Sequence, residues 1–516
     1  MTQAEAPWLW VCPPPDGAGM DALTVGELLR DYRATHGGLS QAALADMLGI
    51  TQTYVSRIEN GTRRVRDVGL LYHIATCLGV PPNRLGLSHE LVASVRLRAA
   101  KQEHPGPGRH GVAQPDDPAG SVQASRDGWR LIRNHLNQHR ADLARVAVRL
   151  YPPDVRVARA PLLARPDWLP AQPVDFADIQ LEWADGPQPL AVDGTEPPAQ
   201  RTCPLRTPGQ RYERYTSAVR YLATPTLFEN RPSYRLLDIA WPAVGHPRLR
   251  FGLATYFDKI DISEAVGHEF AAACPNPDQF ASQGPVEELW QQLPFRALFA
   301  DPFDLRQRAV IPAITTLTLR RQPDGTAAFL LHWRDSSRVA TAGGMYDAIP
   351  AGEFQPSSVA PWDVANDFDL WRNVVREFSE ELLGTPEHDG SRSTPIDYDR
   401  WPLYQALERA RANRRVRALC LGVGLDALTL AATILTAVVI DGEVLDDVFG
   451  DIVQANAEGL TVAADREQRA AEGVPFTAQN VERLLTREPM APPGAACLAL
   501  AWQHRDTLLT PSEPLA

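Results

Sequence analysis

Between Leu39 and Val65 the chain reads LSQAALADMLGITQTYVSRIENGTRRV, and the spacing of caps and glycines there leaves few ways to fold it. Ser40 is a good N-cap for a helix over SQAALADMLG, and Gly49 is suited to close that helix in the left-handed region. Thr51 caps the next helix, TQTYVSRIEN, which ends at Gly61. Apolar positions from Leu23 to Thr35 predict a helix in front, and Arg66–Leu78 and Pro82–Leu87 continue the helical pattern behind. Ala45 is small where two helices must cross. Val55 and Ile58 face the core, which leaves Gln52, Thr53, Tyr54, Ser56 and Arg57 on the outer face of the third helix.

A helix presented in this way fits the DNA major groove, where Gln reads adenine and Arg reads guanine. Residues 51–66 carry Arg57, Arg63, Arg64 and Arg66 against Glu59, a local charge of +3. Arginines after Gly61 are placed to touch phosphates, which position a domain without reading sequence. The stretch resembles the XRE (lambda-repressor-like) helix-turn-helix family over about residues 24–88. The resemblance implies that Gln41 opens the second helix near a phosphate. It also implies that Gln52, Thr53, Ser56 and Arg57 face the bases, with Tyr54, Arg63 and Arg64 beside them. Double-stranded DNA is the implied partner, read by a homodimer because one such domain spans only a half-site.

The other 400 or so residues need a different reading. With 516 residues the chain holds two to four domains, and its net charge of −12 excludes a protein that coats nucleic acid or anionic membrane with its whole surface. The composition divides the chain into a tail (1–20), the helical domain (21–100), a Pro- and Gly-rich flexible linker (101–124), a middle region (125–290) and an alternating strand-and-helix region (295–510). The expected fold class is multidomain, all-α at the N-terminus and α+β after it, with a mixed sheet flanked by helices. No stretch reads as membrane-spanning, since Asp426 interrupts the most apolar one, Val416–Ile440. The N-terminus has no basic region of the secretory kind, so the expected compartment is the cytoplasm.

Several chemistries drop out. Six scattered cysteines without a C-x-x-C pair argue against a disulfide framework or zinc knuckle. Only Lys101 and Lys259 are lysines, and neither follows a glycine, which excludes a Walker A loop. His268-Glu269-Phe270-Ala271-Ala272 lacks the second histidine of a zincin, and no G-x-S-x-G elbow occurs. Gly422, Gly424, Ala427 and Asp441 imitate a dinucleotide fingerprint, but within RALCLGVGLDALTLAATILTAVVID the expected strand–helix–strand is too short for a full βαβ unit, so core packing is favoured. The amphipathic helix Trp129–Leu150 carries His135 and His139 at i, i+4; without a third ligand at suitable spacing, solvent exposure is expected. In FENRPSYRLLDIAW (228–241), Arg231 and Arg235 could grip a phosphate or carboxylate, with structural pairing the commoner role of such arginines.

One pattern in the C-terminal region carries chemistry. VIPAITTLTLR (310–320) and TAAFLLHWR (326–334) predict a hairpin turned at Pro323-Asp324-Gly325, and the glycine-rich TAGGMYDAIPAGEFQP follows. Then DLWRNVVREFSEELL puts Glu377, Glu380 and Glu381 on one helical face, where a divalent cation would relieve the crowding of like charge. Alone, three such glutamates mark only a solvated face; the hairpin and loop before them change the weighing. The arrangement resembles the Nudix hydrolase fold, whose box is G-x5-E-x7-R-E-U-x-E-E-x-G-U, with U apolar. Gly352 matches the first glycine, and Arg376, Glu377, Phe378, Glu380 and Glu381 match the R-E-U-x-E-E core. Ser358 stands where the box has its first glutamate, 17 residues separate it from Arg376 instead of seven, and Gly384 falls one place late. The resemblance implies Mg²⁺ held by Glu377, Glu380 and Glu381, catalysis by Glu377 and Glu381 if the site is active, and a nucleotide-like ligand near Gly352 and Arg376. Because the box departs from the pattern, the expectation is a sensor of a nucleotide-derived or phosphorylated ligand. A working diphosphate hydrolase and a scaffold that binds a protein partner stand as the alternatives.

Overall fold

The computed structural model describes residues 24–103, 118–157, 159–186, 188–225, 228–281, 286–334, 344–387, 394–450, 459–462 and 473–510. The tail, most of the linker and part of the glycine-rich loop lie outside them.

Five helices form the N-terminal domain: α1 (Val25–Thr35), α2 (Gln41–Leu48), α3 (Gln52–Glu59), α4 (Val68–Leu78) and α5 (His89–Glu103). Each boundary has a local cause. Thr24 and Glu27 form a reciprocal capping box at α1. Ser40 and Thr51 cap α2 and α3, each accepting from the backbone N–H three residues on. Gly49 closes α2 at φ +63°. The apolar faces meet in one core from Leu28 to Val92, including Leu29, Leu44, Ala45, Val55, Ile58, Leu71 and Ile74. Helices α1 and α3 touch so closely that a methyl group on Gly26 would sit 2.4 Å from the Ile58 carbonyl oxygen.

The rest of the chain is built on a mixed sheet. Its long central strands are Val416–Asp426, Ala432–Asp441 and Ala313–Arg321. The first two are antiparallel and the last two parallel. The strand Ala327–Phe329 continues from Ala313–Arg321 as the expected hairpin, and Ala351–Glu353 also pairs with Ala313–Arg321. Segments of the middle region complete the same sheet, with Leu162–Leu163 and Val174–Asp175 both pairing with Val416–Asp426. The segment 416–441 is therefore an antiparallel pair of strands, not strand–helix–strand. Its residues are buried almost throughout, and it lacks the helix a dinucleotide fingerprint requires. A second small sheet joins Leu331–Arg334 to Met345–Ala348 and Gly459–Val462. A third joins Gln180–Trp183, Arg248–Thr255 and Pro232–Ala240.

One hydrophobic core runs from Trp129 to Leu508, so the middle and C-terminal regions make a single body. Buried polar groups tie it across long sequence distances. Arg133 and Arg140 both bond to Glu264 on the helix Tyr256–Ala273. Arg296, fully buried, donates to the Tyr151 hydroxyl and to the carbonyls of Ala427 and Leu428. The predicted amphipathic helix breaks at His139 into Pro118–Gln138 and Arg140–Ala147. Its His135 bonds to the Cys274 carbonyl at 3.0 Å, and His139 lies 3.8 Å from the Asp142 carboxylate.

Candidate nucleic-acid interface and acidic helix

On α3, Val55 and Ile58 are buried, while Gln52, Thr53 and Arg57 are exposed. Ser56 and Tyr54 are half-buried at the edges of that face. The outer face expected from the spacing is present and open. Its orientation is fixed by Glu59, which is only 5% exposed at the end of α3. Glu59 accepts two bonds from Arg33 on α1, at 3.0 and 2.8 Å, and one from the Gln41 amide on α2, at 2.7 Å. Gln41 thus acts first inside the domain, as a strut between α2 and α3. The sequence shows Glu59 only as a charge among arginines, and the close approach at Gly26 depends on a crossing that no local spacing reveals.

Arg63 and Arg66 make the contacts that sequence reasoning missed. Arg63 stacks near the Tyr54 ring and pairs with Glu229 of the body at 3.0 Å. Arg66 pairs with Glu229 at 3.2 Å and with Glu387 at 2.8 Å. Glu387 also holds Arg231, whose guanidinium reaches the Ser357 carbonyl as well. Burial pushes the Glu387 carboxyl up, but Arg231 and Arg66 outweigh it and hold it below the usual carboxylate range. Beside these pairs, the Asp67 carboxylate caps α4 and accepts from Arg220 and from the Asn230 backbone. Leu253 and Val359 pack against the helical core, and Gly86 lies against Ala360. The helix-turn-helix is seated on the body through a mainly polar contact with a small apolar centre.

The acidic helix is Leu370–Leu383, capped by Asp369 and closed by Gly384 at φ +63°. Its Glu377 carboxyl lies directly over Gly352, where a methyl group would sit 2.1 Å from the carboxyl carbon, so a side chain there would push Glu377 aside. Gly352 and Glu377, far apart in the sequence, are thus in contact. Glu381 accepts from the Ala351 backbone N–H at 2.9 Å, and the buried His332 lies 3.9 Å from its other oxygen. Burial and the neighbouring Glu380 and Glu381 push the Glu377 carboxyl well above its ordinary pKa, against Arg376. Arg376 bonds to the Gln355 carbonyl and to Asn373. On the same strand as Gly352, Glu353 pairs with Lys259 at 2.5 Å. Among the described residues, no group of three or more His, Cys, Asp or Glu side chains is arranged to hold a metal ion. The three glutamates share a face without forming a ready-made Mg²⁺ cage.

The extra residues between Ser358 and Arg376 form a short helix, Pro361–Asn366, and a buried polar knot. Ser358 donates to Asp363, and Asp367 accepts from the Ser357 N–H and the Tyr398 hydroxyl. Arg235 is buried and donates to the Gln188 and Leu305 carbonyls, and burial pushes its guanidinium down to about 10. Arg231 thus meets a carboxylate and Arg235 backbone carbonyls.

Residues 29–85 match a helix-turn-helix family model. The match supports an XRE-type helix-turn-helix domain, and with it a DNA-binding regulator of transcription whose partner is double-stranded DNA. No curated protein matches the chain. No helix among the described residues is long and apolar enough to cross a membrane.

Proposed function

We propose that the protein is a sequence-specific, homodimeric, cytoplasmic transcriptional regulator whose body senses a nucleotide-derived or phosphorylated ligand at a Nudix-like site. The observation that supports the sensing half is the contact of Glu377 with Gly352, two residues that match the box. The mixed sheet, with Ala313–Arg321 parallel to Ala432–Asp441 beneath that helix, supports the same reading. Sensing is favoured over turnover because Ser358 stands where the box has its first glutamate and the spacing to Arg376 departs from the pattern. Ligand binding regulates only if it differs between DNA-competent and incompetent states.

The test is a thermal-shift screen of the full chain against nucleotides and nucleotide sugars, with and without Mg²⁺, each hit being assayed for consumption. A stabilising compound that survives incubation supports the sensor; failure of all of them to shift the melting temperature overturns it. The crowded Glu377 carboxyl, which calls for a proton or a cation, favours one second reading, an active diphosphate hydrolase. Mg²⁺-dependent release of a monophosphate, abolished by Glu381→Gln, would establish it.

A further inference from the structure

The arginines that follow the recognition helix are the ones expected to meet phosphates, and the body holds two of them. Arg63 and Arg66 point their guanidinium groups at Glu229 and Glu387, which reach them from positions 166 and 321 residues away. A carboxylate and a phosphate oxygen offer a guanidinium the same bidentate geometry. A phosphate cannot take Arg63 Nη2 or Arg66 Nε and Nη1 while the carboxylates hold them. The two glutamates also place two negative charges beside a segment whose own net charge is +3. The base-reading residues Gln52, Thr53 and Arg57 stay exposed throughout, so the contact withholds phosphate binding and leaves base recognition intact.

The seat is built to separate. Among the described residues it combines a small apolar part, at Leu253, Val359, the Gly86–Ala360 contact and the packing of α5 on the strand Arg248–Thr255, with ion pairs and hydrogen bonds, and interfaces of that kind between domains exchange readily. The helical domain keeps its own core without it. Val359 and Ala360 lie in the extra residues after Ser358, and Glu387 lies just past the end of the acidic helix.

We propose that Glu229 and Glu387 are intramolecular phosphate mimics, so that the seated helix-turn-helix is the weak DNA-binding state and duplex DNA competes with the body for Arg63 and Arg66. The inference rests on the DNA-binding reading and is independent of ligand sensing.

The test uses the full chain and a labelled mixed-sequence duplex of about 30 base pairs, titrated across a range of salt concentrations. Four proteins are compared: wild type, Glu229→Gln/Glu387→Gln, Val359→Asp and Arg57→Ala. The double variant removes the mimics, and Val359→Asp loosens the seat from its apolar side without touching an arginine. Both are expected to bind DNA more tightly, by roughly 5–150-fold, the usual range of coupling between linked equilibria. With two further phosphate contacts, the slope of log K against log salt should steepen by about 2. Unchanged or weaker binding in both, with wild-type melting, overturns the proposal. Should the double variant melt early, Val359→Asp alone decides it. If Arg57→Ala weakens wild-type binding while the seat variants change nothing, only the autoinhibition fails. If Arg57→Ala changes nothing and no variant binds in a salt-dependent way, the DNA-binding reading fails with it.

Discussion

In the helix-turn-helix, residues that touch are near one another in sequence, and every buried core residue falls between Leu28 and Val92. In the body, Arg296 bonds to carbonyls 131 and 132 residues later, and the strand Val416–Asp426 is flanked by segments from residues 162–175. The first arrangement can be rebuilt from caps, glycines and helical period. The second depends on pairings whose loop-closure entropy is large and whose partners carry no local mark. The chain thus joins a domain of local logic to a body of non-local logic. The ion pairs that connect them, among them those of Arg66 with Glu229 and Glu387, belong to the second kind.

The largest effect should come from the body's shared core. Phe354 is fully buried among Tyr234, Phe251 and Phe368. Phe354→Ala should cost about 3–5 kcal/mol. Leu136→Ala, in the middle region, should cost about 2–5 kcal/mol and move the same transition in urea. Two transitions, one for each variant, would break the picture of a single body.

Next in size is a pH effect confined to the body. Burial pushes the Asp363 carboxyl up to about 6 from 3.8, and the Ser358 hydroxyl offsets only part of this. The folded state therefore holds that proton more tightly than the unfolded chain does. The resulting stabilisation, about 3 kcal/mol, is fully present below pH ~4 and is lost as pH rises through about 6. Asp363→Asn, which cannot ionise and still accepts from Ser358, should flatten that part of the stability curve and raise stability at neutral pH. A curve unchanged by the substitution would remove Asp363 as its source.

A smaller effect is expected on the DNA face. Arg57→Ala should weaken duplex binding by about 1–3 kcal/mol and relax sequence preference if Arg57 reads a base. Binding and preference that both match wild type would contradict the assignment. Smallest is the cap at α2. Ser40→Ala should cost about 1 kcal/mol, seen as loss of helical-domain stability with the body's urea midpoint unmoved. A shift of both together would mean that the two regions unfold as one.

These contrasts explain what could be read in advance. The bounds of α2 and α3 and the outward face of α3 followed from Ser40, Gly49, Thr51, Val55 and Ile58, because each acts on residues at most four positions away. The hairpin at Pro323-Asp324-Gly325 was legible for the same reason. The segment 416–441 misled because a continuous apolar run has no period that separates a buried strand from a buried helix. For Gly352 and Glu377 the motif matched their residue types, but their contact is made across the long insertion. Lys259 and His332 beside them had no pattern to flag them. Arg63 was legible as a basic residue after the recognition helix, yet its partner Glu229 lies in a different region of the chain.

The distance between Arg66 and Glu387 also has a consequence in time. A ribosome adds about 5–20 residues per second. The 321 residues from Arg66 to Glu387 therefore take roughly 15–60 s to make. Helical domains with local contacts fold in microseconds to milliseconds. Each newly made chain thus passes through an interval in which its helix-turn-helix is complete and Glu387, the later of the two carboxylates that answer Arg66, has not been synthesised.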